Sequence, residues 1–511
     1  MTCSKWVLYG ALLTGLALFQ LIRLTFRAGL RHIPGPWLAR YTTLYRLSLV
    51  YKGDSPRQYQ LLHERYGPIV RTGPNHVSTS DPAMIPVVYG IGKNFQKTPF
   101  YTTMSLMYQG RRMDSMFTER NPKIHKALKG SVAQIFSMTN MRNFEVYADE
   151  CSAIFLDAMR DLEGQRLDLA HWLQWYAFDV IGSITFQRRF GFLERRHDVD
   201  EMISKINHGL ELVKNIGQSE WLVALFDGLY ANSWIRENYW PDTMDKFLKI
   251  TEKELDKYDR SPKESSRTDF LSQLREKQDK TGKITHRDMI NHLSNNLLAG
   301  SDTTGISLRA VVYFVIRTPR VYEKLQREID DADQAGQLSE YVTYQESLEL
   351  PYFQATLKEA MRMHPAVGFP LERYVPEEGA EICGYNLPAG TNISTSAPLM
   401  HMNKDVFGND AQTFRPERWL EASPEQLSLM DRTFIAFGHG SRTCIGKNIS
   451  LMEMGKLIPQ LFRHFDIEWA SEQSEWHLHA AWFWKQSELF VRLKRRQAKE
   501  CRATTEREIY K

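Results

Sequence analysis

One cysteine set among glycines constrains this chain more than any other feature. Cys444 lies in the run Phe437-Gly438-His439-Gly440-Ser441-Arg442-Thr443-Cys444-Ile445-Gly446, which has the make-up of a loop presenting a single thiolate to an iron. A thiolate at a metal carries negative charge in a dry pocket, so it needs backbone N–H donors aimed at sulfur, and glycines let the chain turn tightly enough to supply them. Gly438, Gly440 and Gly446 meet that need. Arg442, two residues before the thiol, has two open roles, lowering the thiol pKa or neutralising an acid on a bound cofactor. Phe437 would shield the sulfur from water. An isolated cysteine is ordinarily a small buried hydrophobe; the whole pattern is what points elsewhere.

Three further motifs precede this loop. Thr285-His286-Arg287-Asp288 has the spacing of a capping box, and apolar residues recur from there to Ile316 before Pro319 forbids continuation, which predicts one very long helix. Near its middle stands Ala299-Gly300-Ser301-Asp302-Thr303-Thr304. A glycine there weakens the helix by roughly 1 kcal/mol relative to alanine, which makes sense if something flat approaches the backbone closely. The acid and the alcohol beside it are then expected to face that space. Glu359-Ala360-Met361-Arg362 places two ions on one helical face before His364-Pro365 ends the helix, and Phe414-Arg415-Pro416-Glu417-Arg418-Trp419 follows downstream.

Composition narrows the class. The 511 residues, 42% hydrophobic and 25% charged, contain no repeat and no low-complexity linker, which favours one large catalytic unit. A net charge of +4 with dispersed Lys and Arg argues against nucleic acid as a partner. Five widely spaced cysteines without C-x-x-C point to neither a disulfide framework nor a zinc ribbon.

At the amino terminus, Trp6 to Phe26 supplies about the 20 mostly apolar residues a spanning helix needs. Positive charges follow it as Arg23, Arg27 and Arg31, with only Lys5 ahead, and no small-x-small cleavage site precedes Arg27; an uncleaved anchor with the body in the cytosol is therefore expected over the rival, a cleaved signal peptide. On that side of the membrane the sequons at Asn392 and Asn448 would stay unglycosylated. His32-Ile33-Pro34-Gly35-Pro36 stops the anchor and opens the body. The expected division is an anchor over 1–30, a proline-rich hinge over 31–40, a catalytic domain over 41–496 and a polar tail over 497–511. Short stretches such as Ile69-Val70-Arg71-Thr72 and His76-Val77-Ser78-Thr79 read as strands, ahead of mostly helical patterns.

In this order the four motifs resemble the cytochrome P450 family, the haem-thiolate monooxygenases, over essentially the whole chain to about Lys494. The resemblance implies a mainly α fold with a minor β region, the cytochrome P450 fold, preceded by one N-terminal transmembrane helix. It makes Cys444 the axial ligand of a haem b iron. Phe437, Gly438, Ala299 and Gly300 would lie against that haem, and Arg442, Arg373, His125 and Lys129 become candidates for its propionates. In the family the last of these is usually arginine; Lys129 gives a point charge in place of a bidentate fork. Thr303 would hydrogen-bond dioxygen and Asp302 would help relay protons to it. Glu359, Arg362 and Arg418 would form a buried structural cluster behind the haem loop.

The chain shows no G-x-G-x-x-G after a strand, so the resemblance implies NADPH-derived electrons from a separate NADPH-cytochrome P450 reductase, with Lys126 and Lys447 as candidate docking charges and the endoplasmic reticulum membrane as the location. The expected substrate is a lipophilic small molecule. Candidate walls are Phe100 to Met107, the stretch with Trp221, Phe226 and Tyr230, Val367-Gly368-Phe369, and Trp482-Phe483-Trp484. Asp179 to Phe186 and Arg188 to Gly191 resemble fungal members near the pisatin demethylase group, which implies secondary metabolism or detoxification. Hydroxylation, epoxidation and oxidative demethylation stay open. So do a reductase-independent isomerase or dehydratase and a non-catalytic haem sensor.

Overall fold

A helix of 31 residues through the centre sets the architecture, because nearly every face of it must be covered. The structure, a computed structural model, describes residues 29–232, 234, 245–261 and 268–496, together with 12, 14, 15, 18 and 19. The expected anchor over Trp6–Phe26 lies, those five positions apart, outside the described residues, as does the tail over 497–511. Among the described residues no helix is long and apolar enough to cross a membrane.

The architecture is mainly helical with a small β part, as expected from the sequence. The helices that matter here are α1 (Pro122–Val132), α2 (Met138–Asp161), α3 (Leu169–Phe186), α4 (Met202–Ile216), α5 (Glu220–Ala231), α6 (His286–Ile316), α7 (Pro351–Met363) and α8 (Lys447–His464). The long helix, α6, begins where the capping box places it. The Thr285 side chain accepts from the Asp288 N–H, and the Asp288 carboxylate accepts from the Thr285 N–H. Its closest partner is α3, which is buried along almost all of its length. Two glycines set that approach. A Cβ on Gly300 would lie 2.7 Å from Ile181 Cγ1, and one on Gly305 would lie 3.2 Å from Gln174 Cα. What comes close to the α6 backbone at Gly300 is thus the Ile181 side chain, and the glycine serves helix packing.

The main sheet contains β1 (Ile69–Gly73), β2 (His76–Thr79), β3 (Gln96–Lys97), β4 (Arg373–Tyr374) and β5 (Asn392–Ser394), in the order β1-β2-β5-β4-β3. Both stretches read as strands from sequence are present and pair antiparallel, Ile69 opposite Thr79. At the far edge Lys97 stands directly opposite Arg373. The hinge is docked on this sheet through Arg71 N–H donating to Pro34 O at 2.7 Å. Asn392, the first sequon, is buried in β5 and its amide donates to Glu372, so the fold itself denies it to modification. A hairpin of β6 (His477–Ala481) and β7 (Phe483–Ser487) turns at Trp482, whose φ of +77 is strained for a residue with a side chain.

Candidate active site

Between α6 and the Cys444 loop lies a cavity of about 430 Å³. The loop before α8 reaches it through left-handed turns at Gly438 (φ +73) and Gly440 (φ +66), and a Cβ on Gly440 would fall 2.0 Å from the Tyr89 carbonyl oxygen. Cys444 N–H donates to Phe437 O at 2.8 Å, closing the loop. Sulfur is deep in the protein yet open to the cavity. Burial pushes the Cys444 thiol up, while the N–H groups of Gly446 and Lys447 and the nearby charges of Lys129 and Lys447 pull the other way. These donors suit a thiolate that a metal holds deprotonated.

The cationic side of the cavity carries the second observation. Arg442 donates to Glu119 O at 2.7 Å and Arg120 O at 3.3 Å. Arg373 donates to the Tyr101 hydroxyl at 3.0 Å, and Lys129 to the carbonyls of Ser441 and Thr443 at 3.1 and 2.9 Å. His125 also lines the cavity. Sequence reading missed Lys97, a lone lysine on a two-residue strand; its ammonium donates to Phe117 O and sits 4.2 Å from the Tyr101 ring centroid. Among the described residues none of Lys97, Lys129, Arg373 and Arg442 has a carboxylate partner within 4 Å.

Glu372, next to Arg373 in sequence, accepts from Arg46, Thr98 and Asn392, and Glu119 acts on Arg442 only from beyond 4 Å. Burial, and then repulsion by Arg373 and Arg442, holds Lys97 well below the ordinary lysine range. Burial and Arg373 bring Arg442 down to about 10. Burial and the surrounding cations bring His125 down to about 4. Four cations around one cavity without a counter-ion, with a thiolate site at its floor, fit a haem with its two propionates.

On the opposite wall Ala299, Gly300 and Thr303 of α6 line the cavity. Thr303 Oγ1 donates to Ala299 O at 2.9 Å. The Asp302 carboxylate is not part of the lining. Successive helical residues point about 100° apart, so the acid turns toward α3 and the β6–β7 hairpin. There it accepts from Gln174 and, at 2.9 Å, from Lys485. Arg309 holds Gln174 in turn, donating to its carbonyl at 2.6 Å. These partners come from sequence positions far from Asp302, and no local pattern marks them.

Of the anticipated walls, Tyr101, Met104, Leu106, Phe226, Tyr230, Val367, Phe369, Trp482 and Phe483 line the cavity. Trp221 does not; it is 65% exposed on the outer side of α5. Trp484 instead stacks on His364, ring centroids 4.1 Å apart.

Behind the loop, Glu359 on α7 accepts both Nε and Nη2 of Arg362 at 2.8 Å, Arg418 Nε at 2.8 Å, Trp419 Nε1 at 2.9 Å and the Arg415 N–H at 3.1 Å. Lys126 and Lys447 are exposed on the thiolate side.

A family model described as cytochrome P450 matches residues 34–490. The chain is similar to a cytochrome P450 monooxygenase of Emericella nidulans, 36% identical over 487 residues that cover 94% of this chain and 97% of that protein. To a cytochrome P450 monooxygenase of Aspergillus terreus it is 36% identical over 444 residues, 86% and 90% of the two chains. To the pisatin demethylase of Fusarium vanettenii it is 33% identical over 481 residues, 92% and 89%.

Proposed function

Because the chain belongs to the cytochrome P450 family, we propose that it inserts one atom of dioxygen into a lipophilic small molecule of fungal secondary metabolism or detoxification. The observation that carries this reading is the pairing of one donor-wrapped sulfur with four cations, none within 4 Å of a carboxylate, across a single apolar cavity. Bound haem would supply the activation of dioxygen and its transfer to a C–H or C=C bond.

The chain's own groups do the rest. Cys444 would supply the sulfur ligand to the haem iron, and Arg442, Arg373, Lys97, His125 and Lys129 would hold the propionates. Thr303 presents its hydroxyl oxygen to the cavity, and Asp302 behind it holds or releases a proton at Oδ2. Phe226, Tyr230, Phe369, Trp482 and Phe483 exclude water and favour a bulky apolar substrate. The pisatin demethylase among the relatives puts demethylation among the reactions to test.

Electrons come from a separate NADPH-cytochrome P450 reductase, for which exposed Lys126 and Lys447 offer docking charge. The apolar run Trp6–Phe26 with trailing arginines supports a single-pass anchor in the endoplasmic reticulum membrane, body toward the cytosol.

The test is spectroscopic. Reduced protein under carbon monoxide should show the red-shifted Soret band of an anionic sulfur ligand, and Cys444→Ala should lose it. A band that survives the substitution sinks the assignment. Product formation that needs both NADPH and reductase separates an oxygenase from an isomerase or a sensor.

A further inference from the structure

A polar run, Asn291-His292-Leu293-Ser294-Asn295-Asn296, occupies a largely buried stretch of α6. Polar side chains in such a place need partners. Ser294 Oγ donates to Thr251 Oγ1 at 3.0 Å, and Asn296 Nδ2 donates to Thr185 Oγ1 of α3 at 2.7 Å. His292 and Asn295 line the cavity, on the stripe that runs on through Ala299 to Thr303.

The hydrogen bonds of these two side chains fix what each has left to offer. Asn291 donates from Nδ2 to Asp114 O at 3.0 Å, which makes its Oδ1 the acceptor on the Asn295 side. Asn295 Nδ2 then donates to Asn291 Oδ1 and Asn291 O, both at 2.8 Å, so its own Oδ1 is the group left over. Ser131 Oγ, on α1, gives its one proton to Leu128 O at 2.7 Å; at its 3.0 Å contact with His292 Nε2 the ring nitrogen must therefore carry the hydrogen. Burial brings His292 down to about 4, so the ring is neutral near pH 7 and Nδ1 is an acceptor. Among the described residues neither Asn295 Oδ1 nor His292 Nδ1 takes a hydrogen bond.

We propose that Asn295 Oδ1 and His292 Nδ1 are specificity-determining acceptors that hold a neutral hydroxyl or amide N–H at the end of the substrate remote from the oxidised carbon. At 1.5 Å of rise per residue they stand about 12 and 16 Å from Thr303 along α6. The substrate is thus elongated, with its donor group that far from the carbon presented at Thr303. Among the described residues no Asp or Glu lines the cavity, so a protonated amine finds no counter-charge there. An ether or a bare hydrocarbon end would leave both acceptors dry and without a donor, which binding must offset. The inference deepens the oxygenase reading by naming a substrate class, and rests on it for the position of the oxidised carbon.

The experiment is a binding titration on the holoenzyme, with a probe that ligates iron through one end and meets the acceptors with the other. The probe is imidazole bearing a decyl chain that ends in a hydroxyl, set beside its methyl ether. Nitrogen ligation shifts the Soret band and yields each Kd. The wild type should bind the alcohol about 10-fold more tightly than the ether. Asn295→Leu should cut that preference to about 2-fold or less, and His292→Phe should reduce it too, with the affinity for the ether near the wild-type value in both. A hexyl alcohol, too short to reach, should show no preference over its own ether in any of these proteins.

Equal binding of the decyl alcohol and its ether by the wild type would overturn the proposal, as would a preference that survives Asn295→Leu or one that the hexyl pair shows equally. Should His292→Phe not fold for want of the Ser131 contact, the Asn295→Leu comparison alone decides. An intact preference in a holoenzyme that forms no product with NADPH and reductase would sink the oxygenase reading and leave the acceptor pair standing.

Discussion

Replacing Glu359 by glutamine changes one oxygen for an amide nitrogen at the most crowded acceptor in the protein. The carboxylate takes five donors from Arg362, Arg418, Trp419 and the Arg415 backbone, and both arginine side chains are 0–2% exposed. Glu359→Gln therefore leaves the buried Arg362 guanidinium without a negative partner and Arg418 with Asp410 alone, and turns an N–H₂ toward donors. Breaking a buried pair in this way costs about 3–5 kcal/mol. Over the matched span 34–490, an unfolding entropy of about 2.1 cal/mol/K per residue sums to about 1 kcal/mol/K, so the midpoint should fall by about 3–5 °C. Thermal unfolding followed by circular dichroism and by loss of the Soret band reads this directly. The surface pair Arg160–Asp157 provides the control, since its removal should shift the midpoint by under about 1 °C. If Glu359→Gln melts within a degree of wild type, the cluster is not the electrostatic keystone that its geometry implies.

Lys97→Met should weaken haem binding about 10- to 150-fold, the loss of one charge-assisted bond of about 1.5–3 kcal/mol, measured by haem transfer to apomyoglobin. The same change should raise the melting point of the haem-free protein, because it removes the repulsion with Arg373; a drop in both quantities would refute the propionate role. Gly440→Ala meets the Tyr89 carbonyl and a left-handed turn together, and should lower the haem-to-protein ratio as isolated, measured by pyridine haemochrome. Burial brings His401 and His364 down to about 3, and His63 and His292 to about 4. Their folded pKa values lie below the unfolded value near 6.5, so their contribution is present above about pH 6.5 and is lost as pH falls toward 4 and 3, up to about 1.4 kcal/mol per unit per histidine. Denaturant titrations at pH 7 and 5 check this; equal stability at the two would contradict it.

Much of the frame was legible because its signals are local. The capping box at Thr285 and Asp288, the break at Pro319 and the paired strands at Ile69 and His76 each depend on residues a few positions apart. The loop glycines likewise announce Gly438 and Gly440. Lys97 and Lys485 were illegible for the opposite reason: each is one ordinary lysine on a short strand, given meaning by Arg373 or Asp302 far away in sequence. The direction of Asp302 was misjudged by treating neighbours on a helix as if they shared a face. Gly300 was read as a place where something flat approaches the backbone, whereas the Ile181 side chain is what comes close, a neighbour that sequence could not name.

The juxtaposition of Lys97 and Arg373 at the sheet edge has a consequence for biogenesis. A newly made chain reaches this point with an ammonium and a guanidinium held against the same Tyr101 ring and no carboxylate within 4 Å of either, so an anionic guest tightens the rim of the sheet. Hydrogen exchange in haem-starved cells should thus be fastest at 96–97 and 373–374, and added salt should slow it by masking the repulsion. Supply of the prosthetic group, through these two short strands, would govern how long the nascent protein survives proteolysis.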